Sequence, residues 1–269
     1  NFKFNWEKNF SNPYKTKSDI KFNNPNLNIS NKFDRNNENY IIAQTTLKFL
    51  TNNLVLNYNF NNNNIKFFDD KSKKFNQSRL NGDVNLDPFF FDLNLILSGI
   101  SLETVLNNVF LNLYKFNKSS HLNFNGNLKI NLNQINNRLF ENLELNINFL
   151  EEKINLNKSS LNLKKIGKIN FSDPNIYEKN QKIFVNSKIT FDVYDQQELY
   201  KKFLIPRQNR IDLKKVYFEL EYNIDEGNYY LSNINFTEKA EQTDNFYEVN
   251  NFQQLNNVIS KEFKKIMLD

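Results

Sequence analysis

Regular alternation of apolar and polar residues constrains this chain more than any other feature of its sequence. In LELNINFLEEKINLNKSSLNL, residues 143–163, Leu143, Leu145, Ile147 and Phe149 alternate with Glu and Asn. Successive side chains of a β-strand point to opposite faces, so the pattern predicts strands with one apolar and one polar face. A shift of one residue would turn every leucine toward water, so the pattern also specifies how the strands pair.

The same period of two recurs over most of the chain. Residues 121–194 contain six or seven such runs at short intervals, which is typical of an antiparallel meander. Residues 45–70 predict a hairpin that turns at the asparagine run 61–64, and residues 214–236 predict another. The first 40 residues are polar with scattered Phe, and we expect short edge strands and loops there. The sequence therefore predicts a mainly β protein.

Residues 80–100 carry turn signals within this pattern. The dipeptide Asn81-Gly82 is a strong predictor of a tight turn. Pro88 then interrupts the alternation, and a proline inside a strand pattern indicates an edge, a bulge or a strand break. We therefore expect a turn at Asn81-Gly82 and a disturbance of the strand at Pro88.

Three segments change to the helical period. Residues 101–116 carry apolar residues at spacings of three and four, with Ser101 as a candidate N-cap. Residues 195–206 predict a short helix that Pro206 ends. Residues 246–267 form a second amphipathic pattern, which we interpret as a helix packed on the sheet rather than one lying on a membrane.

The residues that most often carry chemistry are scarce. There is no cysteine, which excludes disulfides, thiol catalysis and cysteine metal sites. His121 is the only histidine, and five glycines provide no phosphate-binding loop. Acidic residues such as Asp87, Asp92, Glu151 and Glu152 form no recognisable catalytic arrangement. We therefore predict neither an enzyme nor a cofactor or metal site.

Charge does not point to nucleic acid. The net charge is +5, but Lys and acidic residues are intermixed, and the densest basic segments, 164–168 and 201–210, are typical of solvated faces. Asn makes up about one residue in five, which we interpret as nucleotide-composition pressure on exposed positions. No stretch reaches the roughly 18 to 20 apolar residues that span a bilayer. The chain lacks an initiator Met and a signal peptide, so we expect a segment of a longer protein with any membrane anchor outside it.

A family resemblance is carried by LNGDVNLDPFFFDLNLILSGISLETVLNNVF, residues 80–110. Its G-x-V-x-L-x-P-F strand, second strand and following helix resemble the carboxy-terminal region of the AsmA-like superfamily of bacterial envelope proteins, which includes the TamB and YhdP types. The resemblance covers residues 80–269. Residues 1–79 are then expected to be amino-terminal strands and a hairpin that continue the same sheet.

The resemblance implies an antiparallel meander curved into an open, taco-like groove. Such proteins are anchored in the bacterial inner membrane, extend through the periplasm, and are thought to carry phospholipid toward the outer membrane. They belong to outer membrane biogenesis, and other envelope proteins are potential partners. The predicted groove lining comprises Val84, Leu86, Leu122, Phe124, Leu128, Ile130, Leu132, Leu143, Leu145, Ile147, Phe149, Ile154, Leu156, Leu161, Leu163, Ile169, Phe171, Ile189, Phe191, Phe218 and Leu220. The predicted phosphate headgroup contacts are Lys201, Lys202, Arg207 and Arg210.

A filled core is the alternative to a lined groove. The apolar faces of every β-sandwich alternate in the same way, because they pack against a second sheet or against helices. The alternative function is then a β-sandwich protein-binding module or adhesin. Sequence alone does not separate these two interpretations.

Overall fold

The structure is a computed structural model of the chain. It describes residues 2–8, 15–22, 27–37, 40–49, 52–68, 78–119, 125–133, 135, 139–150, 153–156, 158–210, 212–235 and 246–249. Strands make up 68% of the structure. The prediction of a mainly β protein is therefore confirmed.

The elements follow in chain order. The first strands are β1 (Phe2–Lys8), β2 (Lys15–Phe22), β3 (Leu27–Asn37), β4 (Tyr40–Phe49), β5 (Asn52–Asn61), β6 (Asn64–Phe68), β7 (Arg79–Leu86) and β8 (Phe89–Leu97). Helix α1 (Leu102–Ser119) precedes β9 (Asn125–Leu132), β10 (Phe140–Leu150), β11 (Lys153–Asn155), β12 (Ser159–Leu163), β13 (Gly167–Lys179) and β14 (Lys182–Val193). Helix α2 (Gln196–Lys202) and a 3-10 turn (Arg207–Asn209) precede β15 (Lys215–Asn223), β16 (Asn228–Asn235) and β17 (Phe246–Val249).

The chain divides into two compact units. Unit 1 comprises Asn1–Ile100, Leu122–Gln134 and Asn148–Glu151, and unit 2 comprises Ser101–His121, Ile135–Ile147 and Glu152–Asp269. The boundary expected from the family resemblance, after residue 79, stays a prediction.

Unit 1 is built on one sheet. Strands β1 to β8 pair with their neighbours in chain order, and every one of these pairs is antiparallel. Strand β9 pairs with β8 in parallel, with Phe91 opposite Gly126 and Leu97 opposite Leu132. A purely antiparallel meander is therefore wrong at this point. Parallel neighbours need a long connection, and the segment between β8 and β9, which includes α1, supplies it.

The turns of unit 1 confirm one prediction and overturn another. The predicted hairpin in 45–70 is present as β5 and β6, and it turns at Asn62 and Asn63. The predicted turn at Asn81-Gly82 is wrong, because both residues lie within β7. Gly82 has a φ of +128°, and a Cβ at this position would lie 2.0 Å from the backbone oxygen of Asp92. The glycine therefore permits the close approach of β8, and the chain turns at Asp87 and Pro88 instead.

Unit 2 is antiparallel where its strand pairs are described. Strand β12 lies between β10 and β13, and each strand from β13 to β17 pairs with the next. The predicted hairpin in 214–236 is confirmed as β15 and β16. The segment SLNLKKIGKINFSD, residues 160–173, is a hairpin of β12 and β13 that turns at 164–166.

Local capping explains where the helices begin. The hydroxyl of Ser101 accepts a hydrogen bond from the backbone N–H of Thr104 at 3.0 Å, which confirms the predicted N-cap of α1. The carboxylate of Asp195 accepts from the N–H of Glu198 at 3.0 Å at the start of α2. The helices predicted in 101–116 and 195–206 are therefore present, and α2 ends at Lys202, before Pro206. No helix in the described part of the chain is long and apolar enough to cross a membrane.

The predicted helix over 246–267 is wrong at its beginning. Phe246–Val249 forms β17 and pairs antiparallel with β16, so that Val249 lies opposite Tyr229. The segment FYEV fits a period of two as well as a helical one, and the edge of β16 offers backbone hydrogen bonds that a helix would leave unused. Residues 250–269 lie outside the described residues.

Candidate functional site

The register of unit 1 places one residue from each of seven strands in a single row. Directly opposed residues of neighbouring strands lie on the same face of a sheet. The row runs through Phe33, Ala43, Tyr58, Phe67, Gly82, Leu93 and Leu128. The adjacent row runs through Ile41, Phe60, Ile65, Val84, Phe91 and Gly126. Together these residues define the unit 1 apolar face.

The opposite face of the same strands is mainly polar. Its central row is Ile42, Asn59, Lys66, Asp83, Asp92 and Asn127. Its amides bond across strands: Gln44 Nε2 donates to Asn57 Oδ1 at 2.8 Å, and Asn131 Nδ2 donates to Asn94 Oδ1 at 2.7 Å. The two faces of unit 1 thus differ in chemistry across β3 to β9.

The unit 1 apolar face is only partly covered. Phe33, Tyr58, Phe67, Leu93 and Leu128 are all half-buried. An apolar surface that stays partly accessible is a characteristic of ligand and partner binding sites.

A short polar segment interrupts the unit 1 apolar face near β2 to β4. The Thr45 hydroxyl donates to Asn31 Oδ1 at 2.7 Å, and Asn31 Nδ2 donates to the Ser18 hydroxyl at 3.1 Å. Because these groups bond to one another, they present little unpaired polarity to an apolar ligand.

An aromatic cluster occupies the β8 side of the same face. The Phe91 ring lies over Gly126, where an added Cβ would come within 2.5 Å of it. The centroid of the Phe91 ring is 5.4 Å from that of Phe149 and 6.2 Å from that of Phe89. Gly126 therefore makes room for Phe91.

The corresponding apolar face of unit 2 is filled. Leu199 and Tyr200 of α2, with Phe203 beyond it, belong to one buried cluster with Leu163 and Phe191 of the strands. Leu199 is 1% exposed. Ile169, Phe218 and Leu220 pack against this cluster. This part of unit 2 is a closed core.

A small cavity lies beside α1 in unit 2. Its volume is about 50 Å³, well below the roughly 150 Å³ of a cavity that binds benzene. Its lining comprises Leu106, Phe110, Leu145, Leu156, Ser159, Phe171, Pro174, Val185, Ser187, Leu220, Tyr222 and Tyr229. The Ser159 hydroxyl donates to Leu156 O at 2.7 Å and the Ser187 hydroxyl to Ser172 O at 2.9 Å. The cavity is thus apolar, and it is too small for an acyl chain.

The predicted lining residues fall into several groups. The buried ones are Ile130, Leu132, Leu143, Leu145, Ile147, Leu156, Leu161, Leu163, Ile189 and Phe191. The half-buried ones are Val84, Leu128, Phe149, Ile154, Ile169, Phe171, Phe218 and Leu220. Leu86 is exposed, and Leu122 and Phe124 lie outside the described residues. Unit 1 brings together Val84, Leu86, Leu128, Ile130, Leu132 and Phe149, and unit 2 holds the others.

Sequence reasoning missed the part of the unit 1 apolar face that precedes residue 80. Phe33, Tyr58 and Phe67 were not predicted as lining residues. The alternation of β3 to β6 was visible in the sequence, but polar residues such as Asn31 and Thr45 also occur on the apolar face. Only the strand register shows that the apolar residues align.

The four predicted headgroup residues lie in α2 and the residues that follow it. Lys201 Nζ is 3.3 Å from Glu198 Oε1. Arg210 Nε donates to Ile205 O at 3.2 Å, and its guanidinium lies 5.3 Å from the centroid of the Tyr200 ring. Lys202 and Arg207 are exposed. Lys201 and Arg210 therefore already have partners within unit 2.

The titratable groups with perturbed pKa values are paired residues. Burial, and then a hydrogen bond to Glu221, raise the pKa of Tyr177 to about 12. The hydroxyl of Ser30 and the ammonium of Lys17 lower the pKa of Asp19. Among the described residues, no three His, Asp or Glu side chains are grouped so that they could hold a metal ion.

No protein-family model, curated protein or solved structure matches this chain.

Proposed function

We propose that the chain is a non-enzymatic protein of the bacterial envelope that binds phospholipid on the unit 1 apolar face. In this proposal the face curves into an open groove and carries lipid through the periplasm between the inner and outer membranes. An anchor outside this segment would hold the protein in the inner membrane, as in the AsmA-like superfamily. The observation that carries the proposal is the partly accessible row from Phe33 to Leu128 across β3 to β9.

The dimensions of the face suit an acyl chain. Seven strands include six gaps of about 4.8 Å, so the row is about 29 Å long. An acyl chain in one leaflet spans about 15 Å, half of a hydrocarbon core of about 30 Å. Each methylene that leaves water gains about 0.8 kcal/mol, so a two-chain lipid with roughly thirty methylenes gains some 20 kcal/mol or more. Binding on this scale requires no nucleophile, base or metal.

Unit 2 has a different part in this proposal. Most of its predicted lining residues are buried, and the cluster that includes Leu163 and Phe191 packs against α2, so a lipid would reach this cluster only if the helix moved. The unit 1 apolar face is therefore the primary lipid-binding surface. Headgroup contact by Lys202 and Arg207 is a separate prediction.

Native mass spectrometry of the chain, purified without detergent, tests the proposal. We expect bound phospholipid, identified after release. Leu93→Asp places a charge on the apolar face and should reduce the bound fraction at least tenfold. Asn94→Asp places the same charge on the polar face of the same strand, where its Oδ1 still accepts from Asn131, and should leave lipid bound. A lipid-free wild-type chain that takes up no added phospholipid would exclude the proposal.

The second candidate function is a protein-binding module with a filled core. The closed cluster of α2, Leu163 and Phe191 in unit 2 favours it. This function predicts a lipid-free mass for the wild-type chain. It also predicts that Leu93→Asp affects stability or partner binding but changes no lipid signal.

A further inference from the structure

The turn between β7 and β8 carries three exposed apolar side chains. Leu86, Phe89 and Phe90 are 41%, 44% and 42% exposed, and they flank the turn residues Asp87 and Pro88. We name these five residues the tip. Large apolar side chains are normally exposed singly, so three within five residues indicate a binding surface.

The tip is apolar on both faces of the sheet. Leu86 and Phe89 are opposed on the unit 1 apolar face, whereas Phe90 is opposite Asn85 on the polar face. Behind Phe90, that face continues with Asp92 and Asn94. A partner protein with a flat or concave surface would cover one face of the tip. A lipid bilayer surrounds an inserted tip on both faces.

Apart from Asp87, which lies at the turn within the tip itself, the charged residues of the polar face lie at a fixed distance behind the tip. Lys66, Asp83 and Asp92 are opposed in one row on the polar face. Asp83 precedes Leu86 by three residues, or about 10 Å along the strand. Apolar side chains of surface-bound segments enter the boundary of headgroups and acyl chains by about 5–10 Å. The charged row would then lie among the headgroups.

The charges near the tip favour one kind of headgroup. Asp83, Asp87 and Asp92 outnumber Lys66, so the region has an excess of negative charge. An anionic bilayer repels such a region, whereas the ammonium of a zwitterionic headgroup attracts it. From the apolar side chains on both faces of the tip and the negative charge near it, we infer that the tip inserts into the interface of a zwitterionic bilayer. The tip also continues into the unit 1 apolar face through the contact of Phe89 with Phe91, but its insertion does not require that this face holds lipid.

Co-sedimentation of the full chain with dioleoylphosphatidylcholine vesicles tests the inference. The wild-type chain should pellet with these vesicles. Phosphatidylglycerol vesicles attract the whole chain through its net charge of +5, so there the serine substitutions at the tip should change pelleting less. Combined Leu86→Ser and Phe90→Ser substitutions should weaken partitioning at least about tenfold. Phe68→Ser is the matched control, because Phe68 is a similarly exposed phenylalanine on the polar face of β6, away from the tip. This control should partition like wild type.

A second variant keeps the test decisive if the serine variant fails to fold. Phe90→Trp, made together with Trp6→Phe so that it is the only tryptophan, retains an aromatic side chain, and its fluorescence should be quenched when the vesicles contain phosphatidylcholine brominated in its acyl chains. Absent quenching, wild-type partitioning of the serine variant, an equal or larger effect of the serine substitutions on phosphatidylglycerol vesicles, or dimerisation through the tip without vesicle binding would each overturn the inference. Leu93→Asp should abolish lipid carriage and leave vesicle partitioning intact, so failure of the proposed function and failure of tip insertion give different results.

Discussion

Units 1 and 2 contain strands with the same alternation of apolar and polar residues, but their apolar faces differ in how far they are buried. In unit 1, Leu93 of β8 and Leu128 of β9 stay half-buried, and burial is reached farther along β9, at Ile130 and Leu132. In unit 2, Leu145 and Ile147 of β10 are almost wholly buried. The sequences LNLIL and LELNI, taken from these strands, do not differ enough to predict this contrast.

The difference between the units arises from covering elements. Unit 2 contains α1 and α2, and Phe110 of α1 and Leu199 of α2 contribute to its buried clusters. A strand pattern therefore specifies which face is apolar, and the helices that pack on it decide whether that face becomes core or surface.

The largest expected effect is that of a charge placed on each apolar face. Ile147→Asp buries an unpaired carboxylate in unit 2 and should cost about 3–5 kcal/mol of unfolding free energy. Leu93→Asp, on the half-buried face of unit 1, should cost about 1 kcal/mol, because its carboxylate can reach water. Urea denaturation measures both. Equal losses of unfolding free energy in the two variants would show that the unit 1 apolar face is as buried as the core of unit 2.

Cavity formation gives the next largest contrast. Leu199→Ala removes a buried side chain of α2 and should lower the unfolding free energy by about 2–5 kcal/mol. Leu128→Ala removes a half-buried leucine from β9 and should cost less than half as much. Thermal denaturation of both variants and the wild type makes the comparison. A greater loss for Leu128→Ala would show that the face of unit 1 is covered in solution.

A smaller effect is expected where two strands approach closely. Gly82→Ala forces a side chain into a positive φ and against the backbone of Asp92, which should cost about 1–3 kcal/mol. Gly126→Ala meets the Phe91 side chain rather than backbone and adopts no positive φ, so its cost should be lower. Melting temperatures report both changes. A neutral Gly82→Ala would contradict the strand geometry described for β7 and β8.

The smallest predicted effect depends on pH. The pKa of Tyr177, raised to about 12, means that the folded state holds this proton more tightly than the unfolded chain, in which tyrosine titrates near 10. The resulting stabilisation is complete below about pH 10 and is lost as the pH rises from about 10 to about 12. Tyr177→Phe should therefore destabilise the protein at about pH 9 but not at about pH 12. A destabilisation that is the same at both pH values would contradict the raised pKa of Tyr177, which burial and then the hydrogen bond to Glu221 cause.

Local signals in the sequence predicted much of the fold. Ser101 and the three-and-four spacing after it predicted α1, and the alternation over residues 214–236 predicted the hairpin of β15 and β16. Tertiary contacts set the rest. Asn81-Gly82 has the composition of a turn, yet the approach of β8 makes Gly82 a strand residue.

The candidate site was less predictable than the fold. Alternation indicated that Leu143 and Leu128 each belong to an apolar face. The exposure of each face depends on whether a helix from a distant part of the sequence packs on it. The row that joins Phe33 to Leu128 depends on six strand pairings, of which a local signal, the asparagine run 61–64, predicted only that of β5 with β6.

Photo-crosslinking with a phosphatidylcholine that carries a diazirine in its acyl chain tests the central claim most directly. Labelled peptides are mapped after irradiation of the detergent-free complex. The account predicts that labels concentrate on the unit 1 apolar face, at residues such as Phe33, Tyr58, Phe67 and Leu93, and that Leu93→Asp removes them. Labels concentrated on Leu143, Leu145 and Ile147, or an absence of labels above background, would contradict it.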